Sequence, residues 1–84
     1  MKYQISIGSS AQKQFKKFPV SIQENITLRI LSLEDNPRPH GSQKLRASDF
    51  YRIRQGDYRV VYFIDDKRKV VEILDVDHRK DIYR

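Results

Sequence analysis

Three arginines stand at alternate positions around a Gly-Asp dipeptide, Arg52 and Arg54 ahead of Gly56-Asp57 and Arg59 behind it. Gly-Asp between two runs rich in Tyr, Ile and Val reads as a two-residue hairpin loop, because glycine takes the positive φ that a primed turn demands. With that loop, Gln55 faces Tyr58, Arg54 faces Arg59 and Arg52 faces Val61, and strand alternation puts the three arginines on one face. Like charges directly across a strand pair disfavour folding by roughly 0.2–1 kcal/mol, so stability alone does not select this arrangement. A bound anion would: guanidinium forks match phosphate oxygens bidentately and keep their charge, which suits a phosphodiester. The competing reading is a solvated face on which the arginines pair with Asp49, Asp57 or Asp75.

A second group of reactive types follows the last strand-like run: His78-Arg79-Lys80-Asp81-Ile82-Tyr83-Arg84. Arg79 can neutralise charge that develops during phosphodiester cleavage, and His78 or Tyr83 can move a proton from an attacking 2′-hydroxyl or to a leaving 5′-oxygen. Tyr83 can also stack on a base of single-stranded RNA. The alternatives are a surface or capping role for His78 and packing of the Tyr83 ring on the sheet. Lys44 and Arg46, with Arg38, lie in an irregular basic segment around Leu45 and are candidates for RNA contacts. His40 reads as structural or incidental. Tyr51, Tyr58 and Tyr62 fall on the face opposite the arginines and read as core residues with wet hydroxyls. No metal-ligand spacing, Gly-rich phosphate loop or Ser-His-Asp pattern is present, so neither metal nor cofactor is expected.

The elements that must position these residues are readable from periodicity. Tyr3, Ile5 and Ile7 alternate with polar neighbours as in a half-buried strand over 2–7, and Gly8-Ser9-Ser10 ends it. Ser9 and Gln12 have capping-box spacing for a short first helix that turns Ala11, Phe15 and Phe18 to one side. Pro19 breaks that helix and can begin a second, which runs to about Asp35 with Ile22, Ile26, Ile30 and Leu33 as its apolar stripe. A basic loop over 36–49 leads to three strands, 50–55, 58–65 and 70–77. The expectation is an α+β domain: an N-terminal strand, a helical hairpin, then a three-stranded antiparallel meander.

Composition bounds the rest. The 84 residues suffice for one domain, 1–84, and not for two cores. Seventeen Lys and Arg against eleven Asp and Glu give a net charge of +6, which favours polyanionic partners. There is no cysteine, hence no disulfide framework or thiolate metal site, which fits a reducing cytosol. The N-terminus has no apolar run of signal-peptide length, and no stretch approaches the roughly 20 apolar residues that span a bilayer, so a soluble cytoplasmic protein is expected.

Lys44-Leu45, the run Tyr51-Arg52-Ile53-Arg54-Gln55-Gly56-Asp57-Tyr58-Arg59-Val60-Val61-Tyr62, and His78-Arg79-Lys80-Asp81-Ile82-Tyr83 together resemble the RelE/ParE toxin superfamily, closest to its RelE branch. The resemblance spans nearly the whole chain. It implies a fold similar to microbial ribonucleases and a type II toxin that enters the ribosomal A site, touches rRNA and cleaves the mRNA being translated. It also implies a metal-free endoribonuclease that uses the substrate's 2′-hydroxyl as nucleophile, and a cognate RelB-like antitoxin that wraps the toxin. Arg52 and Arg54 match two basic positions that are commonly lysine in the best-known branch. Arginine does not deprotonate in proteins, so their role here is electrostatic and the general base is left open. Arg59 matches the phosphate-stabilising arginine, Arg79 the arginine implicated in leaving-group protonation or charge stabilisation, and Tyr83 the tyrosine that stacks or helps activate the nucleophile. His78 is an alternative acid or base. The sequence runs one residue past Tyr83, so the C-terminal helix of some relatives is not expected. Two other readings follow from the same residues: a ParE-like DNA gyrase inhibitor, and a non-catalytic RNA- or partner-binding module.

Overall fold

The computed structural model describes residues 2–45 and 49–78. Strand β1 (Gln4–Ile7) leads into helix α1 (Ser9–Phe15) and helix α2 (Val20–Leu31), which tightens into a 3₁₀ turn over Ser32–Glu34. Strands β2 (Gln43–Lys44), β3 (Phe50–Gln55), β4 (Tyr58–Asp65) and β5 (Val70–His78) follow. The fold is α+β, with one sheet in the order β1-β5-β4-β3-β2. No helix among the described residues is long and apolar enough to cross a membrane.

The expected meander β3-β4-β5 is present and antiparallel, but the sheet is larger than three strands. The N-terminal strand joins it by pairing parallel to β5, from Gln4 opposite Val70 to Ile7 opposite Ile73. The two helices supply the crossover that a parallel pair needs. At the other edge, Gln43 and Lys44 pair with Arg52 and Tyr51, so the expected loop contains a two-residue strand. Two residues are too few to show a period of two in sequence.

Helix α1 begins at Ser9 with Gly8 as its N-cap and without a side-chain cap, in place of the expected Ser9–Gln12 capping box. Gln12 instead donates its side-chain amide to the Ile7 carbonyl at 2.9 Å. Gly8 is required by close approach: its N–H donates to the Ile73 carbonyl at 2.8 Å, and a Cβ there would lie 3.2 Å from that oxygen. Pro19 is the N-cap of α2, and Gln23 donates to the Phe18 carbonyl at 2.9 Å, which fixes the angle between the helices.

The core lies between the helices and one face of the sheet. Ala11, Ile26, Ile30 and Leu33 meet Ile53, Val60, Tyr62, Ile64, Val71, Ile73 and Val76 there. Each large side chain buried in this way contributes about 1.5–3 kcal/mol relative to leaving it in water. Tyr62 is fully buried, and its hydroxyl donates to the Pro37 carbonyl at 2.7 Å rather than to solvent. Burial pushes that hydroxyl up to about 12. The Tyr51 ring stacks on Tyr62 at 6.0 Å, and its hydroxyl accepts from Arg38 Nε at 3.0 Å. Both hydroxyls are therefore held within the protein instead of being wet.

Candidate functional site

The two-residue turn at Gly56-Asp57 sets the site's register. Gly56 takes φ 61°, Gln55 pairs with Tyr58, Arg54 with Arg59 and Arg52 with Val61. Because Tyr51, Ile53, Val60 and Tyr62 point under the helices, alternation turns Arg52, Arg54 and Arg59 to the open face. Three cross-strand rows make up that face: Phe50, Phe63 and Glu72; Arg52, Val61 and Asp75; Arg54, Arg59 and Asp77. The last row lies beside the hairpin turn. The Phe50 and Phe63 rings, 5.4 Å apart, lie four residues down the strands, roughly 13 Å from it.

Gln43 on β2 sits directly across from Arg52 and accepts from it twice, from Nε at 2.7 Å and from Nη2 in a second, shorter contact. An amide oxygen orients the guanidinium without cancelling its charge, and the remaining Nη1 edge stays available to an anion. Sequence reasoning missed Gln43 because it lies in the segment read as loop.

Strand β5 carries an irregularity that decides which residues join the arginines. Tyr62 pairs with Ile73 while Val61 pairs with Asp75, so Leu74 is an extra residue on β5. Strict alternation from Val71 and Ile73 would send Asp75 and Asp77 inward and His78 to the arginine face. The bulge reverses the phase: Val76 is buried, Asp75 and Asp77 face outward, and His78 lies on the helix-covered side opposite Tyr58. The His78 ring packs edge-on against Tyr58 at 4.8 Å, and Tyr58 packs against Phe18 at 4.7 Å. His78, a candidate acid or base, is thus not brought together with Arg52, Arg54 and Arg59. The break was visible in Ile73-Leu74-Asp75-Val76, where the apolar alternation slips by one.

Lys44 is exposed and pairs with Tyr51, which places it on the side of the sheet away from the arginines. Arg46, Arg79 and Tyr83 lie outside the described residues. Arg38, read with the basic loop, is committed elsewhere: its guanidinium pairs with Asp66 at 2.8 Å, and Tyr3 donates to the same carboxylate at 2.7 Å. Hydrogen bonds from Arg38 and Tyr3 hold the Asp66 carboxyl down to about 2, and those that Arg38 donates to Asp66 and to the Tyr51 hydroxyl raise Arg38. This clip ties the N-terminus and the loop to the β4–β5 turn, at the end of the sheet remote from the Arg54–Arg59 row. On the helical side, an apolar groove of about 390 Å³ runs between β1, α1 and α2, lined by Ile5, Ile7, Phe15, Ile30 and Leu31. Among the described residues no group of three or more His, Cys, Asp or Glu is arranged to hold a metal ion.

A helical hairpin on one face of a five-stranded sheet, with arginines on the other, is the architecture of the RelE toxins among solved structures. The sequence model for the ParE toxin of type II toxin-antitoxin systems, parDE, matches residues 5–83, and the chain belongs to that family. It is similar to toxin RelG of Mycobacterium tuberculosis, with 34% identity over 86 residues covering 100% of this chain and 99% of the relative. It is also similar to mRNA interferase toxin RelE of Escherichia coli K12, with 26% identity over 82 residues covering 95% and 86%. Among solved structures, the archaeal RelE in the RelE-RelB complex of Pyrococcus horikoshii superposes with a TM-score of 0.86 at 32% identity, covering 94% of this chain and 97% of that one.

Proposed function

We propose that this chain is the toxin of a type II toxin-antitoxin pair and acts as an endoribonuclease on mRNA at the ribosome. The observation that carries this reading is the row Arg54–Arg59, two arginines set directly across a strand pair on the uncovered face. Relatives named mRNA interferase and RelE support cleavage of message over inhibition of DNA gyrase.

The reaction is a transfer within the RNA strand. The 2′-oxygen attacks the adjacent phosphorus, and the 5′-oxygen leaves, with no metal taking part. Arg54 and Arg59 hold the phosphate and stabilise the charge that grows on its oxygens, and Arg52, oriented by Gln43, extends that field along the backbone. Arg79 and Tyr83 belong to the same set by their match to the family motif, Arg79 for the leaving group and Tyr83 for stacking or activation. Lys44 and Arg46 contribute to RNA or rRNA attraction. A site made largely of arginines needs the ribosome to position the message, so activity on free RNA is low.

The antitoxin is a RelB-like protein. The net charge of +6 suits an acidic partner, and the groove between β1 and the helices, with Ile7 and Leu31 exposed beside it, suits the apolar side of a segment that folds on binding. The test is to induce the protein in cells and map transcript 5′ ends with and without a translation inhibitor. New ends inside coding regions that vanish when translation is blocked are expected. Growth arrest with intact messages and cleaved DNA would point to gyrase instead.

A further inference from the structure

Arginine keeps its proton in proteins, so the Arg54–Arg59 row can hold a phosphodiester but cannot take the proton of the 2′-hydroxyl that attacks it. The row ends on a group that can. Asp77 on β5 lies directly across from Arg59, half-buried, on the open face to which the Leu74 bulge turns it. We propose that Asp77 is the proton acceptor for the 2′-hydroxyl, an inference that rests on the RNA-cleaving reading above.

The surroundings fit that role. From β4, Arg59 faces Asp77; Arg54 lies one strand further, roughly 10 Å away; Asp75 is the other outward carboxylate on that stretch of β5; and His78 is turned to the opposite side. Strand β1 pairs with β5 only up to Ile73, so it does not cover this end. From α1, Gln14 accepts from the Val76 N–H at 3.3 Å, which pins the strand beside Asp77 on its far face. A phosphate entering the row competes with Asp77 for the Arg59 guanidinium.

The step balances without a co-reactant. Asp77 takes the 2′-proton as the 2′-oxygen bonds to phosphorus. The bond from phosphorus to the 5′-oxygen breaks, and that oxygen leaves with a proton from water. A 2′,3′-cyclic phosphate and a 5′-hydroxyl result, and Asp77 returns its proton to solvent.

The alternative role for Asp77 is a counter-ion that merely neutralises Arg59, and the two roles predict opposite results. The experiment measures single-turnover cleavage of a message on programmed ribosomes by the full chain, by Asp77→Asn and by Asp75→Asn, with thermal midpoints to verify folding. Asp77→Asn is expected to lose on the order of 10²-fold or more in rate at unchanged message affinity, and Asp75→Asn to stay within about threefold. In Asp77→Ala, added acetate should restore cleavage better than the weaker base formate, and chloride should not restore it. Cleavage by Asp77→Asn at or above the parent rate overturns the proposal, and so does an Asp77→Ala loss that carboxylates leave untouched. A parent chain that cuts no message would instead overturn the RNA-cleaving reading itself.

Discussion

Strands β3, β4 and β5 contribute to both faces of the five-stranded sheet, yet the two faces obey different constraints. Under the helices, Ile53, Val60, Tyr62, Ile64, Val71, Ile73 and Val76 are nearly or fully buried, and hydroxyls such as that of Tyr62 are tied to backbone. On the open face the same strands set Arg54 across from Arg59 and place Asp75 and Asp77 beside them. The covered face minimises free energy. The open face sets Arg54 across from Arg59 with Asp77 beyond, and carries a bulge, an arrangement of exposed charge suited to binding rather than to packing.

The contrast is sharpest if substitutions on each face move different observables. Arg59→Ala is expected to lower cleavage by about 10²–10³-fold, the scale of removing one electrostatic stabiliser, while leaving the thermal midpoint close to the parent's. Ile73→Ala on the covered face should cost about 2–5 kcal/mol of unfolding free energy in a denaturant titration, because it opens a cavity at the centre of the core. If Arg59→Ala unfolds the protein, or Ile73→Ala leaves stability intact, the division between the faces is wrong.

Gln43 tests whether orientation and charge can be separated. Gln43→Glu keeps an acceptor for Arg52 but adds a negative charge to the open face, so cleavage should fall roughly tenfold, equivalent to about 1.4 kcal/mol, with stability held or raised. Unchanged cleavage would make the Gln43–Arg52 contact purely structural.

The covered face also carries a pH signature. Tyrosines of the unfolded chain ionise near 10, whereas Tyr62 keeps its proton to about 12. The unfolded state therefore binds fewer protons in that window, and stability should fall as pH rises from 10 to 12. In Tyr62→Phe this increment should vanish, at a cost of about 1–3 kcal/mol at neutral pH for leaving the Pro37 carbonyl without its donor. The smallest effect belongs to the Asp66 clip. With its carboxyl held at about 2 against an ordinary value of 3.8, it contributes stability above pH 4 that is lost as pH falls toward 2. The stability difference between the parent and Asp66→Asn should be constant above pH 4 and shrink only as pH falls from 4 toward 2.

Particular residues show what the sequence could and could not reveal. The β3–β4 register was legible because Gly56-Asp57 admits one short turn, and three arginines on one face followed from it. The β4–β5 register was less so: its connection is longer and contains Lys69 at φ 57°, and the inversion of phase at the Leu74 bulge shows in the sequence only as a one-residue slip of the apolar alternation. His78 was expected with the arginines as the first residue of a tail after the last strand, whereas it closes β5, and Asp77 was overlooked. The helical stripe of Ile26, Ile30 and Leu33 was readable from its period, while the ends of the helices depended on Gly8 and on the 3₁₀ turn at Ser32–Glu34. Strand β1 alternated legibly, but its partner is remote in sequence, and only packing of the helices chooses a parallel seat beside β5. Arg79 and Tyr83 keep the roles given by their match to the family motif, and Arg46 its reading as an RNA contact from the basic segment, as part of the proposal.

The most direct test uses purified ribosomes programmed with a defined message, the parent chain and the Arg54→Ala/Arg59→Ala variant, both verified as folded. The parent is expected to produce cleaved message, and the double variant to keep its thermal midpoint but lose at least about 10²-fold in rate. A folded double variant that cleaves at the parent rate would contradict the claim that the open arginine face is the catalytic surface.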